Sequence, residues 1–338
     1  MRPSSLFVAL TALLPSLAGA VTLGDLQSAD APYTVSEGIS RGGVTVFPVV
    51  QRGVAKLADD QRIVSLQDAL ATGQLAVTEV GHQMQVASLR VHNRGKHPVL
   101  VMAGEVVQGG QQDRVMAEDL LLPPSDAPVT VTVNCVEQGR WGGGHQFGYG
   151  GQAELSLRRV VQMQGDQSAT WREVARVNSA KAGLMAQMGH GGAALRPSTG
   201  TYLASMRSPL ERQVSKIAEE LSLELAKEGE VVGVVVAVGD HIVGSEVYGY
   251  TEVFDSVRDA TLSALAREAL SSGSYGSYDD APSAQVAADY LSGALMGHAV
   301  ALESRAGTTR HQLRSEDVQS FLLADAEGEV LRLVSYSR

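Results

Sequence analysis

Two short strings in this sequence concentrate residue types that could do chemistry. GEVVQGGQQDR occupies residues 104–114 and NCVEQGRW occupies residues 134–141, each beside an apolar run. Their glutamates, Glu105 and Glu137, could divide the acid and base work of a hydrolase. The arginines of the same strings could hold a phosphate or carboxylate group of a substrate. The strings therefore predict a site, but they leave open the reaction performed there.

The candidate residues of this site have different roles. Glu105 and Glu137 are the catalytic candidates, and Cys135 is a possible thiol nucleophile. The candidates for ligand binding are Gln112, Asp113, Arg114, Arg140 and Trp141. A lone cysteine on a valine-rich strand is more often a small buried hydrophobe than a nucleophile.

A structural role for the same residues is an equally good interpretation. Glu137 could form a buried ion pair with Arg140 or Arg114, and such pairs are common in folded interiors that contain no catalytic site. The flanking glycines would let the backbone turn sharply close to a ligand or to another strand. The strings thus predict either an open pocket or a closed network of ion pairs.

Other chemical signatures are missing from the sequence. No Walker loop, HExxH, CxxC or GxSxG string occurs, and the eight histidines show no spacing typical of a metal site. We therefore predict no metal site, and the sequence does not indicate any cofactor.

The elements that must position the site follow from hydropathy patterns. Residues 40–140 alternate apolar and polar residues like strands, with a short helix capped by Ser65. Within this part we predict a hairpin between residues 84–93 and 99–107. Residues 139–152 contain seven glycines among fourteen residues, which predicts an irregular loop.

Helical spacing follows this glycine-rich segment. Residues 155–228 predict a helical pair, with a break at Pro209, and residues 230–338 predict hairpins with helices. Separate blocks of strands and helices indicate an α+β fold with a β-rich N-terminal half, a central helical pair and C-terminal β-hairpins with helices.

Composition and the N-terminal segment suggest where the protein works. An apolar run from Leu6 to Leu17 precedes Ala18-Gly19-Ala20, which is typical of a signal peptide cleaved after Ala20. We therefore predict an exported protein, periplasmic or secreted, whose residues 21–338 form a single domain. The run is too short to span a membrane, and a formal net charge of −10 disfavours nucleic acid as a partner.

Together the two strings identify a family resemblance. AGEVVQGGQQDRVMAEDLLLPP and VNCVEQGRW resemble the bacterial ARG and Rhodanese-Phosphatase-superfamily-associated Protein domain family, and GYTEVFDSV further along the chain is also similar. That family is named for its genomic neighbours, ADP-ribosylglycohydrolases and rhodanese-like phosphatases, and has no firmly assigned activity. The resemblance implies a link to ADP-ribose or related sugar-phosphate chemistry.

Two functions from different classes remain. The first is an exported ligand-binding or accessory module that recognises a small anionic or sugar-containing molecule. The second is a hydrolase that acts on a sugar-phosphate or glycosidic bond through Glu105, Glu137 and the arginines. We prefer the first, because the sequence supplies no activated nucleophile and no metal-binding triad.

Overall fold

The computed structural model describes most of the chain, including both strings except for one residue. The residues described are 21–28, 31–53, 56–57, 61–81, 86–140, 142–190, 200–273 and 281–338. The predicted signal peptide and Trp141 lie outside them.

Helices and strands are present in similar amounts, which confirms the α+β prediction. The helices are α1 Leu23–Leu26, α2 Leu66–Ala71, α3 Leu155–Gln164, α4 Gln167–Gln187, α5 Leu203–Met206, α6 Glu211–Leu225, α7 Thr251–Ser272 and α8 Ala284–Leu295. The strands of the first half are β1 Tyr33–Val35, β2 Ile39–Arg41, β3 Val44–Gln51, β4 Val64–Ser65, β5 Leu75–Glu79, β6 Ser88–Asn93, β7 Val99–Val101, β8 Glu105–Gly109, β9 Arg114–Met116, β10 Leu120–Leu122, β11 Val129–Cys135 and β12 Phe147–Gln152. Those of the second half are β13 Val231–Val238, β14 His241–Tyr248, β15 His298–Arg305, β16 Thr308–Arg314, β17 Val318–Ala324 and β18 Val330–Ser337.

A nine-stranded antiparallel sheet, the large sheet, combines the six strands of the second half of the chain with β1, β2 and β3. Its order is β1-β3-β13-β14-β18-β17-β16-β15, with β2 also paired to β3. One face packs on α6 and α7, and the other face packs on α8. Both faces are therefore covered near the centre, and β13 and β18 are buried at nearly every position.

The two strings lie in a second, six-stranded sheet of order β12-β8-β9-β11-β6-β5. A three-stranded sheet, β10-β7-β4, packs beside it around a common apolar core. Helices α3 and α4 cover the other face of β8, β9 and β11. Glu105, Arg114 and Glu137 of the two strings thus lie between apolar layers, with little contact with solvent.

Several sequence predictions are confirmed. Ser65 caps α2, and its hydroxyl accepts a hydrogen bond from the Asp68 amide. Pro209 separates α5 from α6, as expected for a residue without an N–H group. The predicted hairpins β13–β14 and β17–β18 are present.

The hairpin predicted between residues 84–93 and 99–107 is wrong. β6 pairs with β5 and β11, while the second run divides into β7 and β8, which belong to different sheets. The division occurs at Gly104, whose φ of +91° lets the backbone turn. The local pattern of apolar and polar residues could not distinguish one long strand from two short ones.

Part of the glycine-rich segment is a strand, which corrects the prediction of an irregular loop for residues 139–152. β12 pairs with β8, with a bulge between Tyr149 and Gly151. A Cβ atom on Gly150 would lie only 3.0 Å from the Val106 carbonyl oxygen. The missing side chain therefore allows the close approach of neighbouring backbones that this pairing uses.

Candidate functional site

Antiparallel pairing of β9 and β11 brings the two strings together. Arg114 lies opposite Cys135, and the Val136 amide donates to the Asp113 carbonyl. The Asp113 amide in turn donates to Glu137 Oε2 at 3.3 Å. Residues 20 or more positions apart in sequence thus become direct neighbours.

Arg140 is the centre of a group that we call the signature cluster, made of Asp113, Glu137 and Arg140. Its Nε donates to Glu137 Oε2 at 2.7 Å, and one Nη2 hydrogen bond goes to Asp113 Oδ1 at 2.9 Å. The carbonyls of Gly109, Gly110 and Gly142 also accept from its guanidinium group. These five hydrogen bonds equal the number of donors on an arginine side chain.

Two carboxylates face one guanidinium group in the signature cluster. Burial raises the pKa of Asp113, and the neighbouring Glu137 carboxylate raises it further, although the Gly109 amide and Arg140 oppose the change. Asp113 also accepts from the Thr201 hydroxyl at 3.2 Å. The cluster therefore carries an excess of acid, which disfavours an anionic ligand at this position.

Arg114, Gln112 and Cys135 are also buried. Arg114 Nη1 donates to the Gln112 carbonyl at 2.8 Å, and its Nη2 lies 3.8 Å from Glu79 Oε1. Gln112 Nε2 donates to the Gln138 carbonyl. Burial raises the pKa of the Cys135 thiol, so that thiol is poorly suited to act as a nucleophile at neutral pH.

Glu105 lies in a different environment, which we call the interior charge cluster: Glu105, Asp119, Arg158, Glu246 and Arg332. Arg332 pairs with Asp119 at 2.6 Å and with Glu246 at 3.0 Å. Arg158 donates to the other oxygen of Glu246. All five side chains are almost completely inaccessible to solvent.

Strand register explains how the nine-stranded sheet contributes to this cluster. Arg332 on β18 lies opposite Tyr248 on β14, so the two side chains share a face, and Glu246 lies two residues earlier on that face. The opposite layer supplies Glu105 from β8, Asp119 from the β9–β10 connection and Arg158 from α3. The charges therefore lie between the nine-stranded sheet and the six-stranded sheet that carries the two strings.

The two glutamates of the interior charge cluster have opposite pKa shifts. Burial raises the pKa of Glu105 to about 8, although the Met102 amide and Arg332 favour its charged form. Burial also acts on Glu246, but Arg158 and Arg332 outweigh it and lower the pKa of Glu246 to about 2. At neutral pH Glu105 holds a proton, while Glu246 is a carboxylate between two guanidinium groups.

Gly104 gives Arg158 the space that it occupies. A Cβ atom built on Gly104 would lie 2.0 Å from Cγ of Arg158, far inside contact distance. The same glycine has the positive φ that ends the β7 segment. The glycine that begins the first string thus leaves room for the side chain of an arginine on α3, 54 positions later in the sequence.

Comparison with protein-family models matches residues 32–336 to the ARG and Rhodanese-Phosphatase-superfamily-associated Protein domain. The chain belongs to this family. No curated protein and no solved structure gives a significant match. The family description carries no defined activity, so membership alone assigns no reaction.

Within this family member, the predicted site residues divide between separate groups. Asp113, Glu137 and Arg140 meet in the signature cluster, and the Glu137–Arg140 ion pair foreseen from sequence is present. Glu105 lies apart in the interior charge cluster and shares no hydrogen-bond partner with Glu137 among the described residues. The structure therefore does not bring the two catalytic candidates into one constellation.

Sequence reasoning missed most of the interior charge cluster. Asp119, Arg158, Glu246 and Arg332 were not recognised as members of one group. A usable signal was present, because Glu246 and Arg332 are the only acidic or basic residues besides His241 in two strands made mostly of apolar and small residues. A charge at such a position predicts a buried partner.

The described part of this chain contains neither a cluster of metal-binding side chains nor a membrane-spanning helix. No three His, Cys, Asp or Glu side chains there are grouped so that they could hold a metal ion. None of the helices there is both long enough and apolar enough to cross a membrane.

Proposed function

We propose that this family member is an exported accessory module that binds a small sugar-containing ligand and does not hydrolyse it. The observation that carries the non-hydrolytic part of the proposal is that the signature cluster satisfies its hydrogen bonds within the protein. Arg140 directs five hydrogen bonds to the protein itself, and Glu137 accepts one of them. A guanidinium group with no free donor favours a structural role over substrate binding.

Separation of the two glutamates supports the non-catalytic part. A pair of carboxylates that acts on a glycosidic bond must lie on either side of it, within about 5–10 Å of each other. Glu105 accepts from the Met102 amide, whereas Glu137 accepts from the Asp113 amide and Arg140, so the two carboxyl groups have no hydrogen-bond partner in common in the described part of the chain. Neither side chain is more than slightly accessible to solvent.

Export rests on the sequence pattern of residues 1–20. Cleavage after Ala20 would leave Val21 as the first residue, and Val21 is buried with its carbonyl bonded to the Val330 amide. Sequencing the N-terminus of protein recovered from the periplasm or medium tests this point. A start at Val21 supports export, and an intact N-terminus on protein found only inside the cell contradicts it.

A sugar-phosphate hydrolase is the second candidate, and one observation favours it. Glu105, with a pKa of about 8, holds the proton at neutral pH that a general acid needs. Catalysis would also require a route for substrate to this buried group. Glu105 lines none of five cavities found in the described part of the chain.

One experiment separates the two candidates. The purified protein is incubated with ADP-ribose, sugar phosphates and aryl glycosides, while thermal shifts report binding and chromatography reports turnover. The accessory module predicts a ligand-dependent rise in melting temperature without product. Product formation that Glu137→Gln abolishes, with the melting temperature unchanged, would establish the hydrolase instead.

A further inference from the structure

A cleft with about 260 Å³ of space lies beside the interior charge cluster. We call it the lateral cleft. Its walls come from α3, from β11 with the β9–β10 connection, and from strands β15–β17 at the edge of the large sheet. The residues used below are Ala117, Glu118, Thr132, Asn134, Arg310 and Phe321.

Strand periodicity places polar and aromatic groups on facing walls. Thr132 and Asn134 are two residues apart on β11 and share the face that α3 and α4 cover. On the opposite wall Phe321 lies across from Gln312, and Arg310, two residues from Gln312, shares their face. The cleft thus has an amide, a hydroxyl and a flat aromatic ring within one small volume.

The charges in these walls already neutralise one another. Glu118 accepts from Arg310, from Arg305 at 3.0 Å and from the Thr132 amide at 3.1 Å. Arg310 also donates through Nε and Nη2 to the Glu303 carbonyl. An ionic ligand would have to break one of these pairs, and a partly buried charge left without a partner is unfavourable.

A neutral molecule with several hydroxyl groups avoids that penalty. Hydroxyl groups both donate and accept, so they can use the remaining lone pairs of Glu118, the Thr132 hydroxyl and the amide oxygen of Asn134, whose Nδ2 already donates to the Thr170 hydroxyl at 2.9 Å. The C–H face of such a molecule would pack on Phe321, as pockets that combine apolar walls with a few polar groups favour. Its binding leaves every wall ion pair intact.

From these contacts we infer that the lateral cleft is the ligand site, and that its ligand is a neutral hydroxylated molecule of monosaccharide size. The inference rests on the proposed accessory function and names the ligand class. It places binding outside the signature cluster, whose excess carboxylate and fully used arginine suit a structural role.

Isothermal titration calorimetry on the purified protein tests the inference. The probes are D-ribose, D-glucose and D-galactose, each compared with its phosphate ester. We expect at least one neutral sugar to bind, and its phosphate ester to bind at least tenfold more weakly. Failure of all three neutral sugars to bind, or tighter binding of a phosphate ester, overturns the inference.

Variants locate the site. Ala117→Met fills the cleft, and Thr132→Val removes a hydroxyl while leaving the backbone bond to Glu118 in place. We expect the first to abolish sugar binding and the second to weaken it about five- to tenfold. Thr130→Val is the matched control, because Thr130 lies two residues away on the same strand but does not line the cleft.

The variants also separate the two proposals. Wild-type binding by both Ala117→Met and Thr132→Val, with unchanged melting temperatures in the absence of sugar, shows that the cleft is not the site. Sugar phosphates that bind equally well to wild type and both variants would leave the accessory function intact but refute this cleft. Hydrolysis of a bound glycoside by wild type, but not by Ala117→Met, would support the cleft and overturn the accessory function.

Discussion

The planar guanidinium group of Arg140 stabilises the signature cluster through geometry as well as charge. It contacts two carboxylates and three glycine carbonyls that belong to separate parts of the chain. A lysine at this position would keep the charge but supply only three donors without the fixed fork. The type of residue at position 140 therefore matters beyond its charge.

We predict that Arg140→Gln destabilises the protein by roughly 3 kcal/mol, because Asp113 and Glu137 remain buried without a cation. That value is at the low end for a buried pair, since the Arg140 side chain is 30% exposed. Arg258→Gln is the control, because Arg258 is 28% exposed but its partner Asp255 is 50% exposed. Chemical denaturation should show a change below about 1 kcal/mol for this control. Equal losses in both variants would contradict a special role for Arg140.

Protonation of Glu105 makes the stability of the protein depend on pH. Its folded-state pKa, about 8, lies above the unfolded value of 4.5, so the folded chain keeps a proton that the unfolded chain releases. The resulting stabilisation is fully present below pH 4.5 and is lost as pH rises through 8. The slope approaches about 1.4 kcal/mol per pH unit in that window.

Glu105→Gln should remove this dependence, since glutamine keeps an acceptor for the Met102 amide and has no proton to lose. The measurement is the free energy of unfolding of wild type and variant between pH 5 and pH 9. We expect the wild-type value to fall relative to that of the variant as pH rises. Parallel curves would show that Glu105 does not hold its proton in the folded state.

At the scale of elements, glycines determine where strands divide and how closely they approach. Gly104 separates β7 from β8, and Gly150 allows β12 to lie against β8. From sequence alone the glycine-rich segment before α3 resembled a loop, because strand pairing usually disfavours glycine. At position 150 of the edge strand β12, glycine is favoured instead, because the backbone of β8 lies too close for a side chain.

Gly104→Ala should be strongly destabilising, because the new methyl group would meet both a positive φ and the Arg158 side chain. Gly73→Ala is the control, since Gly73 has a φ of +73° and open space around its Cβ position. The control should lose about 1–2 kcal/mol from backbone strain alone. Thermal or chemical unfolding should show a clearly larger loss for Gly104→Ala. Similar losses would mean that Arg158 moves away without cost.

On the scale of the whole molecule, the interior charge cluster joins the two halves of the fold. Glu246 and Arg332 belong to the nine-stranded sheet. Asp119 lies in the β9–β10 connection, and Arg158 lies on α3, which packs on the six-stranded sheet. A second buried group, Glu154 with Lys181 and Tyr202, links the end of β12 to α4 and α5. These ionic contacts have strict geometric requirements and therefore favour one docking of the layers over others.

Loss of the central carboxylate should weaken this docking. Glu246→Gln leaves Arg158 and Arg332 without their shared counter-charge, for an expected loss of about 3–5 kcal/mol. Glu220→Gln is the control, because Glu220 lies on the surface of α6 and contacts Arg41 and Lys216 at 3.4 and 3.9 Å. Its loss should stay below about 1 kcal/mol in the same denaturation experiment. A Glu246→Gln variant as stable as this control would refute a structural role for the cluster.

The amino-acid sequence by itself determined the fold class, the longer helices and the hairpins β13–β14 and β17–β18. The hydropathy period and the turn residues are local properties of the sequence. They therefore predict the structure correctly wherever an element pairs with its sequence neighbour, as β13 does with β14. The same strings also indicated family membership, and they offered Arg140, three residues from Glu137, as one of two possible ion-pair partners.

Tertiary structure alone decided which distant residues meet. β7 and β8 join different sheets, Glu105 lies where the charge of Arg332 acts on it and shares no described partner with Glu137, and the lateral cleft draws its walls from three separate regions. The physical reason is that long-range pairing depends on how whole layers bury their apolar faces, which no short window of sequence encodes. The packing of these layers then decides which buried charges become neighbours and neutralise one another.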